Sequence, residues 1–280
     1  MITQAAATSL AVAIAERRGT RPGAGIYSGR SRAVLQRNAK ALRTSNLLAV
    51  LTGFVEPVLF LLAFGFGIGQ LVGGIDVNDE QVGYAVFIAP ALLASSAMNG
   101  AIFDSTYNVY FKMHYSRIYQ GMLATSLGPL DVALGEIGWA VLRGGGYALG
   151  FMVIAGGFGL IPGGWAFLAI PAALLIAFAF SAIGMFITSY LSSFQQLNWV
   201  SFWILPMFLF SGTFYPITSY PGWLQVVVEC TPLAQAVSMV RSIWLGDFSA
   251  GLAVHVSYFV VLAIIGVVMT SRRLTALFLR

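Results

Sequence analysis

Charge is what this sequence has least of. Asp, Glu, Lys and Arg make up 9% of its 280 residues, where soluble domains carry about 25%. That deficit excludes an aqueous globule. Lysine is nearly missing: only Lys40 and Lys112 occur, and neither completes the G-x-x-x-x-G-K-[ST] loop that cradles nucleotide phosphates. ATP hydrolysis by that route is therefore closed to this chain. The two histidines, His114 and His255, stand in no zinc-binding spacing, and no metal site is expected. The single cysteine, Cys230, excludes an internal disulfide and reads as a small apolar packing residue. No nucleophile has a matching base at comparable depth, which argues against an intramembrane enzyme. The mildly apolar run 5–15 has its positive charges after it, the reverse of a secretory signal, so residues 1–27 are expected to form a flexible cytoplasmic leader.

What the chain has in abundance is apolar surface. It is 58% hydrophobic with a mean hydropathy of +0.83, the composition of an integral membrane protein. Crossing a bilayer takes about 20 apolar residues. Six runs qualify, at 47–72, 82–103, 130–158, 165–191, 197–214 and 250–269. The reading is an all-α fold of six transmembrane helices, spanning 46–280. The net charge of +5 is not a nucleic-acid signal, because eight of the fifteen basic residues precede the first run. Putting both termini in the cytoplasm brings thirteen of the fifteen inside and leaves Asp76, Asp79 and Glu80 outside, as the positive-inside rule requires. A multi-pass plasma-membrane protein follows.

Before the first run, residues 28–45 pattern as an amphipathic helix, with Val34, Leu35, Asn38, Ala39, Ala41 and Leu42 on one side. Arg30, Arg32, Arg37, Lys40 and Arg43 occupy the other. Such a helix lies in the headgroup plane against anionic membrane lipid, and could also meet a cytoplasmic partner. The one long cytoplasmic connection, about 104–129, carries Tyr107, Phe111, Tyr115 and Tyr119 at four-residue spacing. Breaks are expected near Gly121 and at Gly128-Pro129. It reads either as an aromatic belt on the membrane or as a helix gripped by another protein. Between the last two runs, about 215–245, three prolines interrupt an apolar segment. Backbone freed by proline cannot face lipid, so this segment is an external re-entrant hairpin rather than a smooth span.

Ionisable residues inside spans are costly and draw attention by default. Arg143 lies deep in the third run beside Gly144-Gly145-Gly146. Glu136, seven residues earlier on nearly the same face, is its nearest candidate partner, and an anionic substrate is the other. Glu56 in the first run needs a partner by the same logic. Glu229 and Arg241 flank Pro232 and could tie the two arms of the hairpin. Met98, Asn99, Phe208 and Phe210 could line a pathway or simply pack the core.

Two stretches resemble a known family. Ser211-Gly212-Thr213-Phe214-Tyr215-Pro216 and Pro232-Leu233-Ala234-Gln235, with Arg241 beyond, are similar to the C-terminal signature of the membrane subunit of a type-2 ATP-binding-cassette exporter. Tyr119-Gln120-Gly121-Met122-Leu123-Ala124-Thr125, Asp131-Val132, Gly135-Glu136-Ile137-Gly138-Trp139-Ala140 and Arg143 resemble its nodulation-type lipooligosaccharide and drug-resistance permease branch. The resemblance implies two membrane subunits, identical or homologous, and two cytoplasmic ATPase subunits that bind the ATP and Mg. It implies that 28–45 is a connecting helix and that Tyr115, Arg117, Tyr119, Met122 and Leu123 couple to the ATPase. It also implies an external gate at Phe214, Pro216, Glu229, Pro232 and Arg241. A channel or ion-coupled transporter is the alternative, but such proteins usually show internal repeats and helices broken at mid-bilayer, and neither is visible.

Overall fold

A computed structural model describes residues 27–42, 55–72, 74–77, 80–116 and 118–278. Arg43, Asp79 and Arg117 lie outside them. Helix α1 (Ser31–Leu42) precedes α2 (Val55–Val72). A short antiparallel hairpin follows, β1 (Gly74–Val77) with β2 (Glu80–Gly83), pairing Ile75 with Val82. Then come α3 (Tyr84–Tyr115), the short α4 (Ile118–Leu123), and α5 (Pro129–Gly157). They are followed by α6 (Ala169–Thr188), α7 (Leu197–Leu209), α8 (Gly222–Glu229), α9 (Pro232–Leu245) and α10 (Ala250–Phe278).

The fold is an all-α membrane bundle in which five helices are long and apolar enough to cross a bilayer. The α8–α9 pair adds a sixth apolar segment bent by 86°. The expected fifth run is shorter as a helix than as a hydropathy stretch. Helix α7 has 13 residues, about 20 Å at 1.5 Å per residue against a core of about 30 Å. A proline N-cap turn and the left-handed Gly212 (φ 72°) redirect the chain soon after it.

Helix α3 is the hub. Its most apolar window is 83% buried, against 17% for α2 and α10 at the periphery. Small residues make this possible. A methyl group on Gly100 would come within 2.4 Å of the Tyr147 ring, and one on Gly144 within 2.7 Å of the Ala97 carbonyl. Lipid offers no hydrophobic drive for helices to associate, so this close backbone approach supplies the packing. Around α3 pack α2, α5, α6 and α9, and α10 packs outside them on α6, α5 and α9, with Leu92, Phe151, Ile176, Trp244 and Phe259 at the centre.

A second, smaller core closes the other end. Val34 of α1, Tyr119 and Met122 of α4, Ile137 of α5, Met185 of α6 and Leu274 of α10 meet there. Helix α1 therefore docks on protein, not only on lipid: a methyl on Gly135 would sit 2.5 Å from the Val34 Cβ. The connection between α3 and α5 departs from the sequence pattern. It breaks after Tyr115, and Gly121 lies inside α4, not at a break.

Candidate functional site

Helix α5 carries three polar anchors, Asp131 toward the start of α1, Glu136 toward α1 and α3, and Arg143 toward α3. Asp131 stands in its first turn, where an acid complements the helix dipole. Its carboxylate accepts hydrogen bonds from the backbone amides of Gly128 (2.9 Å), Ser28 (2.7 Å) and Arg30 (2.7 Å). The Ser28 hydroxyl adds a fourth at 2.8 Å. One carboxylate thus caps α5 and fixes the entry to α1, while the Arg30 guanidinium reaches Ser126.

Glu136 is 2% exposed. Its Oε2 accepts from Lys112 Nζ at 2.6 Å and from Asn38 Nδ2 at 3.0 Å, and Lys112 also donates to Asn38 Oδ1 at 3.2 Å. This triad joins α1, α3 and α5. The sequence-based pairing of Glu136 with Arg143 is corrected here: they share a face of α5, but each finds its partner on α3. Arg143 donates to Asp104 at 2.9 Å and to the Tyr147 hydroxyl at 3.2 Å. Asp104 opens a π-helical turn, Asp104–Asn108, inside α3. The Ser105 carbonyl within that turn accepts from Thr188 at 3.2 Å.

Arg143 borders a cavity of about 460 Å3 between α2, α3, α5 and α7. Glu56, Asn99, Tyr107, Tyr147 and Ser201 bring polar groups to it, and Phe60, Phe103, Leu205 and Phe208 bring apolar ones. Of the expected pathway residues, Asn99 and Phe208 line this cavity. Met98 is buried in the core, and Phe210 faces a different cleft. Glu56 lines the cavity in α2 and has no ion pair among the described residues. Tyr107 bridges to Ser201 of α7 at 2.8 Å.

Toward the β-hairpin end, Phe60 and Phe208 of the cavity wall join Phe64 and Phe214 in an aromatic cluster. Phe214 lies 4.7 Å from Phe64, 5.4 Å from Phe208 and 6.0 Å from Phe60 between ring centroids. Its carbonyl accepts from the Tyr84 hydroxyl at 3.1 Å. Arg241 holds the same loop from α9, donating to the Gly212 carbonyl at 2.8 Å while its guanidinium sits 4.0 Å over Phe87. The idea that Glu229 and Arg241 tie the hairpin arms is therefore corrected. The Glu229 side chain is exposed, and the elbow is set by Pro232 in the first turn of α9 behind the Thr231 cap. Gln235 binds the Glu229 carbonyl at 2.6 Å and meets His255 of α10. Pro216 caps the 3-10 turn Ile217–Ser219.

At the opposite end, the aromatic stripe has an inside and an outside. Tyr119, Met122 and Leu123 are buried, whereas Tyr115, Gln120 and Gly121 are exposed. Burial and the nearby Glu136 charge push the Tyr119 hydroxyl well above its ordinary pKa, and among the described residues that hydroxyl has no hydrogen-bond partner. Arg37 binds Asn38 at 3.2 Å, and Lys40 is exposed on α1. Sequence reasoning missed Asn38 as a polar link, along with Asp104 and Lys112. An acid twenty residues into an apolar helix was the available signal for Asp104.

An apolar bundle with a re-entrant elbow and a buried polar cavity defines a multi-pass membrane permease. The chain matches the ABC-2 type transporter family over residues 30–245 and belongs to it. It is thus the membrane permease component of an ABC-type transporter, a non-catalytic transport subunit. Similar proteins include nodulation protein J of Rhizobium leguminosarum bv. viciae, 29% identical over 86% of this chain and 94% of the relative. Nodulation protein J of Rhizobium meliloti is 28% identical over 80% and 84%. The inner membrane transport permease YadH of Escherichia coli is 24% identical over 69% and 75%.

Proposed function

We propose that this chain pairs with a second permease subunit, identical or homologous, to export an amphipathic molecule: a lipid, a lipid-linked saccharide or a drug. Two copies of a separate cytoplasmic ATPase, binding ATP and Mg, supply the energy. The observation that carries this reading is the Arg143 cavity. It sets a guanidinium, a carboxylate, an amide and hydroxyls among phenylalanines, a lining suited to a ligand with a polar head and an apolar body.

The aromatic cluster around Phe214 supports an external gate, because it joins Phe60 and Phe208 of the cavity wall to Phe214 of the re-entrant loop. Arg30, Arg37, Lys40 and Lys112 gather at the α1 end with α4, which supports a cytoplasmic position for that end. Coupling then enters through the exposed side of the α4 region, with Tyr115, Gln120 and Gly121 meeting the ATPase. Tyr119, Met122 and Leu123 are the buried root that passes its motion to α1 and α5.

Purifying the complex from its native membrane tests the reading. A phosphate-loop ATPase and an amphiphile should co-purify, and transport should follow ATP. A permease that works alone on an ion gradient would reject it.

A further inference from the structure

The molecule holds a second, larger cleft of about 830 Å3 between α6, α7 and the α8–α9 elbow. Its walls are almost wholly apolar, with Phe180, Ile183, Trp199, Trp203 and Met207 among them. The cleft follows α7, whose length of about 20 Å covers one leaflet, about 15 Å of a 30 Å hydrocarbon core, and reaches a little into the other.

One end of this cleft is different. Tyr190 and Gln196 form its wall at the α1 end, and the Arg273 guanidinium lies 4.2 Å from the Tyr190 ring centroid. Among the described residues, the buried Arg273 Nε has no hydrogen-bond partner and no acid pairs with Arg273. Arg273 stands about 35 Å along α10 from Ala250, past the hydrocarbon core and at headgroup depth. A cation whose Nε lacks a partner among the described residues therefore sits beside the cleft's α1 end, against the Tyr190 ring of its wall.

We propose that this cleft binds an anionic phospholipid of the α1-side leaflet, its acyl chains between α6 and α7 and its phosphate at Arg273. Charge complementarity selects the headgroup, and the exposed Arg272 beside it strengthens the local field. Ile102 and Ile204 line both this cleft and the Arg143 cavity, so the lipid lies against the wall of the proposed pathway.

Tryptophan quenching by brominated lipids tests this with the full chain in nanodiscs. The signal of Trp199 and Trp203 is isolated by subtracting that of the Trp199→Phe/Trp203→Phe variant. Brominated phosphatidylglycerol should quench it at least twofold more than brominated phosphatidylcholine, and the preference should fade in high salt. Arg273→Gln should abolish the preference, while Arg273→Lys and Arg272→Gln keep it. If Arg273→Gln fails to fold, the salt series on the unmodified chain decides. Equal quenching by the two lipids would mean ordinary annular contact and would overturn the proposal. Quenching by neither would mean that protein fills the cleft, and would overturn it as well.

Discussion

Lys112 lies 2.6 Å from Glu136, joining two helices that run antiparallel. Asp104 meets Arg143 at 2.9 Å, eight residues back along α3 and seven ahead along α5. The two bridges are crossed in sign, with acid and base on each helix. Only one register of α3 against α5 satisfies them together. The pairs hold the hub helix to its main neighbour without exposing a charge to lipid.

That arrangement fixes what a double-mutant cycle should show. Removing one member of a buried pair typically costs about 3–5 kcal/mol, whereas an apolar replacement of the pair is often neutral. Lys112→Met alone should sharply lower the yield of folded protein after detergent extraction, and Lys112→Met with Glu136→Leu should recover most of it. Glu136→Leu with Arg143→Leu should show no such rescue, because these two residues do not pair. Rescue in that second cycle would contradict the geometry.

Gly135 is the contact that lets α1 lie on α5. Gly135→Val would drive a branched side chain into Val34 and the Ser31 carbonyl, and overpacking of this kind costs about 1–3 kcal/mol. A lower melting temperature in detergent is expected. Gly146→Val, where a methyl would meet nothing within 4 Å, should be much milder, because valine is no worse a helix former than glycine.

Much of this was legible in the sequence, and the illegible part has a physical cause. Hydropathy runs located the long helices because burial in lipid demands continuous apolar stretches. The α8–α9 elbow was visible because proline removes backbone donors that lipid cannot replace. The depth of Arg143 was visible too, but its partner was not. Helical periodicity sees neighbours on one helix, and Glu136 shares a face with Arg143. Which residue of α3 comes opposite depends on packing through Gly100 and Gly144, which no one-helix pattern encodes. The same limit hid the inside of the aromatic stripe, where a four-residue repeat cannot say which face meets α5.

Tyr119 tests that assignment directly. Its hydroxyl is buried and unpartnered among the described residues, so Tyr119→Phe should leave stability unchanged or raise it by about 1 kcal/mol. Tyr119→Asp should prevent folding of this end. Substantial destabilisation by Tyr119→Phe would mean that the hydroxyl has a working partner.

Sidedness is checked with thiols in a Cys230→Ser background. Ser219→Cys, exposed beside the gate loop, should react with an impermeant reagent added outside. Gln36→Cys, exposed on α1, should react only after the membrane is opened. Labelling of the two from one side would refute the proposed topology.

The central claim is that a separate ATPase drives this permease through the exposed side of α4. Photo-crosslinking in intact membranes tests it most directly, with a benzoylphenylalanine at Gln120 and a control at Trp223 on the opposite end. The account expects a crosslink from Gln120 to a phosphate-loop ATPase, changed in yield when ATP is trapped, and none from Trp223. Failure of Gln120 to capture an ATPase in a transport-competent complex would contradict it.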